Sequence, residues 1–278
     1  MRTRPAGLAI TAALAVLASV PATAAGQPQD AVDVEAALRA AQIDPQRDDQ
    51  EPTPGAQASV EVIERALRAE GLLDQQYVDG HYGTRTVDAY AEHQRSMGFE
   101  GIAANGLPGA ESLRELAAGR FEVTRVVRPG KRTTHTGEVV NARTAAMLAE
   151  AEERFGAKFA VDQGSYNPGG DPTSAGTHDG GGAVDVDVDG MDRATSTEAV
   201  RALREVGFAA WYRTPSQGDW PAHIHAVAIS DPDLSEPARE QVGDYYLGKN
   251  GLANDGPDDG PEVEPVRTWE QHQRGEDR

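Results

Sequence analysis

His178-Asp179-Gly180-Gly181-Gly182-Ala183-Val184-Asp185-Val186-Asp187-Val188-Asp189 is the stretch on which the fold turns. From Ala183 the run alternates apolar and acidic residues with a period of two, the pattern of a strand with one buried face and one face of carboxylates. Asp185, Asp187 and Asp189 are expected on that second face. The three glycines let the backbone turn tightly, so an imidazole at 178 and a carboxylate at 185 can converge. Downstream, His223-Ile224-His225 opens an apolar run to Ile229. In a strand, residues i and i+2 project to one side about 6–7 Å apart. One imidazole can then bind a metal while the other reaches a bound water or the substrate. Two histidines and one aspartate leave a fourth tetrahedral place open, the arrangement of a catalytic rather than a structural zinc. Zinc there would activate water, and a neighbouring histidine is suited to move protons at neutral pH. Asp-x-Asp-x-Asp-Gly at 185–190 also mimics the start of a calcium loop. The twelfth position of such a loop should be a bidentate Glu, and here it is Ser196.

Outward from these motifs, residues 120–251 form one expected α+β unit. A helix is predicted over 141–155, with Asn141 as its cap and Ala145, Leu148 and Ala151 on its buried face. A strand starts at Phe159, and a Gly/Pro/Ser-rich loop covers 164–177. A helix opened by Ser196-Thr197-Glu198 and ended by Gly207, a strand from Phe208 to Tyr212 and a closing helix over 234–247 follow. Arg120, Arg125, Arg128, Lys131 and Arg132 read as a solvated linker ahead of the unit. Asp219, just before Trp220, is a second candidate for proton transfer beside His223.

Residues 58–119 read as three short helices. Val60, Ile63, Ala66 and Leu67 have helical spacing, and a turn follows at 79–83. Thr84 or Thr86 is placed to cap a second helix through Val87, Tyr90 and Gln94, and a third spans 110–118. His81 and His93 are expected on polar, exposed faces. The fold class is therefore α+β, with a small three-helix module followed by a mixed domain whose antiparallel sheet carries the site.

Composition limits the function. Among 278 residues, 26 Lys+Arg against 45 Asp+Glu give a net charge of −19, which repels phosphate backbones and argues against nucleic acid. There is no cysteine, hence no thiol nucleophile, thiolate metal site or disulfide. Arg2 and Arg4, an apolar run over 6–20 and Ala22-Thr23-Ala24 predict a signal peptide over 1–25. The mature chain is then expected to be secreted, extracellular or wall-associated, monomeric, and without a membrane span. Residues 26–57 read as a linker holding at best an isolated helix, and 252–278 as an acidic disordered tail.

Two resemblances follow from these residues. Ile63-x-x-Ala66-Leu67, Asp79-Gly80-x-Tyr82-Gly83-x-x-Thr86, Gln94-x-x-x-Gly98 and Leu113-x-x-Leu116 resemble the peptidoglycan-binding domain of wall enzymes over about 60 residues. That likeness implies a module that holds a catalytic partner on peptidoglycan. His178-x-x-Gly181-x-Ala183-x-Asp185 with Trp220-x-x-His223-x-His225 resembles the zinc D-alanyl-D-alanine carboxypeptidases, within the fold group of lysostaphin-type peptidases and the hedgehog amino-terminal domain. By that resemblance His178, Asp185 and His225 hold Zn2+ and His223 serves the transition state. The implied activity is hydrolysis of peptidoglycan stem peptides, as D,D-carboxypeptidase or endopeptidase. Two departures stand out. Gly176 occupies the place where the family often has Ser, and Asp162-Gln163-Gly164-Ser165-Tyr166 lacks the family's upstream Arg. The missing Arg favours an endopeptidase, or a non-catalytic wall-binding protein with a degenerate peptidase-like domain.

Overall fold

A computed structural model describes residues 30–276. The signal-peptide reading over 1–25 lies outside the described residues. The chain is α+β with antiparallel pairing in its main sheet.

Four strands make that sheet: β5 (Val161–Gln163), β6 (Ala183–Asp187), β7 (Phe208–Arg213) and β8 (His223–Ala228), in the order β5-β6-β8-β7. Residues directly opposite each other in an antiparallel pair share a face. Gln163 pairs with Asp185, Asp185 with His225, Trp211 with His225, and Arg213 with His223. One face therefore carries Gln163, Asp185, His223, His225 and Arg213, with Trp211, Ala209, Ala183 and Val227 extending it. The opposite face is apolar: Val184, Val186, Ile224, Ala226, Phe208 and Ala210 are all fully buried. They pack against α5 (Ala142–Phe155) and α6 (Arg193–Glu205) through Leu148, Ala151, Val200 and Leu203. The alternation read at 183–189 holds for Asp185 and Asp187. The strand ends at Asp187, whose carboxylate accepts from the Asp189 N–H (2.7 Å), so Asp189 leaves the shared face.

Asn141 caps α5 as expected, accepting from the Thr144 N–H. The cap of α6 is Asp192 rather than Ser196, because Asp192 reaches the Thr195 N–H while Ser196 turns its hydroxyl back to the Asp192 carbonyl. The glycines of 180–182 are required by close approach. A Cβ at Gly180 would collide with the Asp233 and Ser235 backbone, and Gly182 sits at φ +80°.

Helices α2 (Gln57–Ala69), α3 (Thr84–Ser96) and α4 (Ala110–Ala117) pack on one another. Neither Thr84 nor Thr86 caps α3. Gly83 occupies the cap without a side-chain bond, and Thr86 is buried instead, donating to Glu64 (3.0 Å). His93 and His81 are likewise buried, correcting the exposed reading. His93 Nδ1 lies 2.9 Å from Glu70 and its Nε2 lies 3.1 Å from the Ser112 carbonyl, so a polar residue is tolerated inside because both ring nitrogens have partners.

The linker reading of 26–57 is overturned for its described part. β1 (Ala31–Asp33) pairs in parallel with β2 (Glu122–Thr124), so residues 120–132 are not simply a solvated linker. The β3–β4 hairpin (Arg132–His135, Glu138–Asn141) follows. Helix α1 (Val34–Ile43) is buried almost all round, with Val34, Ala37, Leu38, Ala40 and Ala41 at 0 % exposure. Its buried polar residues have partners: Glu35 accepts from the Thr268 hydroxyl (2.6 Å) and Gln42 Oε1 from the Ser230 N–H (3.0 Å). The helix packs on α7 (Glu236–Tyr246), where Gly243 leaves room for the Gln42 carbonyl. Through α1, one continuous core runs from Leu67 and Leu113 of the helical part to Trp211, Val227, Ala238 and Tyr245. The 119/120 boundary therefore does not separate two cores.

The disordered-tail reading is corrected as well. Asp258 pairs with buried Arg204 (2.8 Å), and Trp269 opens the short helix α8 (Trp269–Gln273) inside the α5–α6 core. Thr268 caps that helix and also donates to Glu35 of α1 (2.6 Å), tying the first and last helices of the described residues together.

Candidate metal centre

His178, Asp185 and His225 bring one ligand atom each within 4.8 Å of one another, and this group could hold a metal ion. His178 closes the glycine-flanked loop, Asp185 stands mid-strand on β6, and His225 faces it from β8. Asp185 Oδ1 lies 3.3 Å from His178 Nε2 and 2.8 Å from His225 Nδ1. The imidazoles meet edge to face, with ring centroids 5.2 Å apart. Both are buried, at 1 % and 5 % exposure.

Hydrogen bonds behind the rings decide where their lone pairs point. His178 Nδ1 lies 2.9 Å from the Gly164 carbonyl, which only accepts, so Nδ1 carries the proton and Nε2 faces inward. That Nε2 is buried and has no hydrogen-bond partner. Gln241 Nε2 donates to the Gly251 carbonyl (3.1 Å), which turns Gln241 Oε1 toward His225 Nε2 at 2.8 Å. His225 therefore carries its proton on Nε2 and presents the Nδ1 lone pair to Asp185. Two neutral rings thus aim lone pairs at one carboxylate oxygen, an arrangement that a cation between them relieves. Carbonyl or amide oxygens behind ligating histidines are the usual outer support of such sites.

The electrostatic shifts describe the alternative in which a proton, rather than a metal, sits between a ring and Asp185. Burial alone would raise the Asp185 carboxyl, but His178 and His225 hold it well below the ordinary carboxylate range. Burial opposes charge on His178, yet the adjacent Asp185 outweighs it and raises that imidazole. Burial dominates at His225 and lowers it.

His223 sits two residues along β8, at the mouth of the same group. Its Nδ1 lies 2.9 Å from the Pro221 carbonyl, and its Nε2 is 3.8 Å from Asp185 Oδ1. The Trp220 ring packs edge-on against it at 6.2 Å. Asp219 is exposed and does not line the cavity. The structure thus gathers His178, Asp185, His225 and His223, and leaves Asp219 out.

These residues floor a cavity of about 560 Å³. Sequence reading missed three contributors. Gln46, from the turn after α1, lines the cavity although its segment was read as a linker. Arg213, at the end of β7, lines it too, its guanidinium lowered to about 10 by burial. Gln241 lies on the α7 face formed by Pro237, Glu240, Gln241 and Asp244, at helical spacing, while Ala238, Val242 and Tyr245 point into the core. That polar stripe was a usable signal in the sequence; nothing local marked Gln46. Gln163 also lines the cavity, and its Nε2 is buried with no hydrogen-bond partner. A second cavity of about 550 Å³, bordered by Phe99, Arg132 and Tyr166, contains none of the convergent donors.

The fold and site define an α+β protein with a buried two-histidine, one-aspartate group able to hold a metal. Compared with family models, curated proteins and solved structures, the chain finds no match.

Proposed function

We propose that the protein is a secreted cell-wall protein whose three-helix part binds peptidoglycan and whose His178–Asp185–His225 centre, loaded with zinc, hydrolyses peptidoglycan stem peptides. The observation that carries this reading is the pair of neutral imidazoles whose lone pairs converge with the Asp185 carboxylate, an N,O,N donor set suited to an open zinc site. Zinc so held would lower the pKa of a water toward ~7 and polarise a peptide carbonyl.

The chain's own residues supply the rest. His223, protonated on Nδ1 by its bond to the Pro221 carbonyl, offers Nε2 on the side of the centre and can accept or return a proton. Gln163 lines the cavity and its buried Nε2 has no partner; turned into the cavity, that amide would give the scissile carbonyl oxygen a neutral donor where the resembled family often uses Arg. Gln241 and Gly164 hold the two ligating rings. Asp219 has no part in this arrangement.

The test is mass analysis of fragments released from purified peptidoglycan, with and without a chelator and after zinc readdition. Chelator-sensitive, zinc-restored release of peptides or D-alanine supports the reading. Protein that holds no zinc and releases nothing at any metal load rejects it.

A further inference from the structure

Among the described residues four arginines are buried: Arg143, Arg204, Arg213 and Arg239. Arg143 pairs with Glu270 (2.8 Å), Arg204 with Asp258 (2.8 Å) and Arg239 with Glu236 (3.6 Å). Arg213, 2 % exposed, has no carboxylate in ion-pair contact among the described residues. Its Nη1 donates to the Asn250 carbonyl (2.8 Å) and its Nη2 lies 3.5 Å from that of Gly251. A guanidinium carries five N–H donors, so most of its capacity is unspent. Keeping such a charge buried with no carboxylate in contact is costly, and its position is informative.

Arg213 shares the sheet face of the metal centre, directly opposite His223, and borders the same cavity. The Trp211 ring lies under it at 4.9 Å and the Asn250 and Gly251 carbonyls hold its two Nη atoms, so the side chain has little freedom to swing away. Around it the cavity is acidic: Asp162, Asp171, Glu240, Asp244 and Asp255 all contribute to its walls. Arg213 is the one Arg or Lys among the described residues that line this pocket, so it is the side chain there that can offer an anionic ligand group a fixed positive charge. The planar fork of Arg suits a carboxylate in two-point contact.

We propose that Arg213 recognises the terminal α-carboxylate of the peptide substrate, making the protein an exopeptidase for free C-termini. The assignment rests on the peptidase reading for its substrate class. It replaces the endopeptidase preference suggested by the absent upstream Arg, because the charge is delivered from β7 instead.

The experiment compares N-acetyl-D-alanyl-D-alanine with its C-terminal amide, by calorimetric binding to the zinc-loaded full chain and to chelator-treated protein. Hydrolysis of both is followed in parallel. The wild type is expected to bind the carboxylate at least about 10-fold more tightly than the amide, and Arg213→Met to bring that ratio near one. Arg213→Lys, which keeps charge but loses the fork, should reduce the ratio at least about threefold, and it serves if the Met variant does not fold. Equal binding of the two probes, no binding of either, or an undiminished ratio in a folded variant overturns the assignment. A carboxylate preference without hydrolysis would sink the peptidase reading and leave Arg213 in place. Hydrolysis of both probes alike would do the reverse.

Discussion

Gln241 Oε1 lies 2.8 Å from His225 Nε2, and the Gln241 amide is itself fixed by the Gly251 carbonyl at 3.1 Å. A residue on the last long helix thus sets the tautomer of a candidate metal ligand on the central sheet. Gln241→Ala frees the ring to rotate or change tautomer. Zinc affinity, read by competition with a chromophoric chelator, should fall about 10-fold or more with the fold intact. An unchanged affinity would show that Gln241 is only a neighbour.

Asp185 is the shared partner of both ligating histidines, so Asp185→Asn should abolish zinc binding rather than weaken it. In the wild type, zinc at about 100 times its Kd should add roughly 2.7 kcal/mol to folding stability and raise Tm. The Asn variant should show no zinc-dependent shift in a thermal melt. A shift of equal size in the variant would place the metal elsewhere.

Burial of α1 predicts a large cost for Leu38→Ala, since that side chain is fully enclosed. The loss should be about 2–5 kcal/mol in urea denaturation. A cost under about 0.5 kcal/mol would return residues 31–46 to the status of a linker.

Glu64 supplies a pH signature. It is fully buried and pushed up to about 8 by burial, against the N–H groups of Gly80 and Asp79 and the Thr86 hydroxyl that favour its charged form. The folded state therefore holds a proton that the unfolded chain releases near its ordinary value of 4.5. This contribution is fully present below pH 4.5 and declines as pH rises toward 8, by up to about 1.4 kcal/mol per unit at its steepest. Urea midpoints measured between pH 5 and 9 should fall in the wild type and flatten in Glu64→Gln. Parallel curves for the two proteins would remove Glu64 as the cause.

Local sequence determined much of this molecule. Period-two alternation placed Asp185 on the sheet face opposite the valines, the i, i+2 spacing put His223 and His225 on one side of β8, and helical spacing located α2, α5 and α7 nearly to their ends. These are properties of a few neighbouring residues, so they can be seen without knowing what the chain packs against. Only tertiary structure decided that α1 is a core element, that residues after 251 return to close on α1 and α5, and that Gln46, Arg213 and Gln241 line the cavity of the candidate metal centre. Each depends on contacts between segments far apart in the chain, where burial and partner geometry come from the meeting itself. A short helical stretch such as 34–43 carries no mark of its partner, and an arginine at a strand end carries no mark of the cavity it will face.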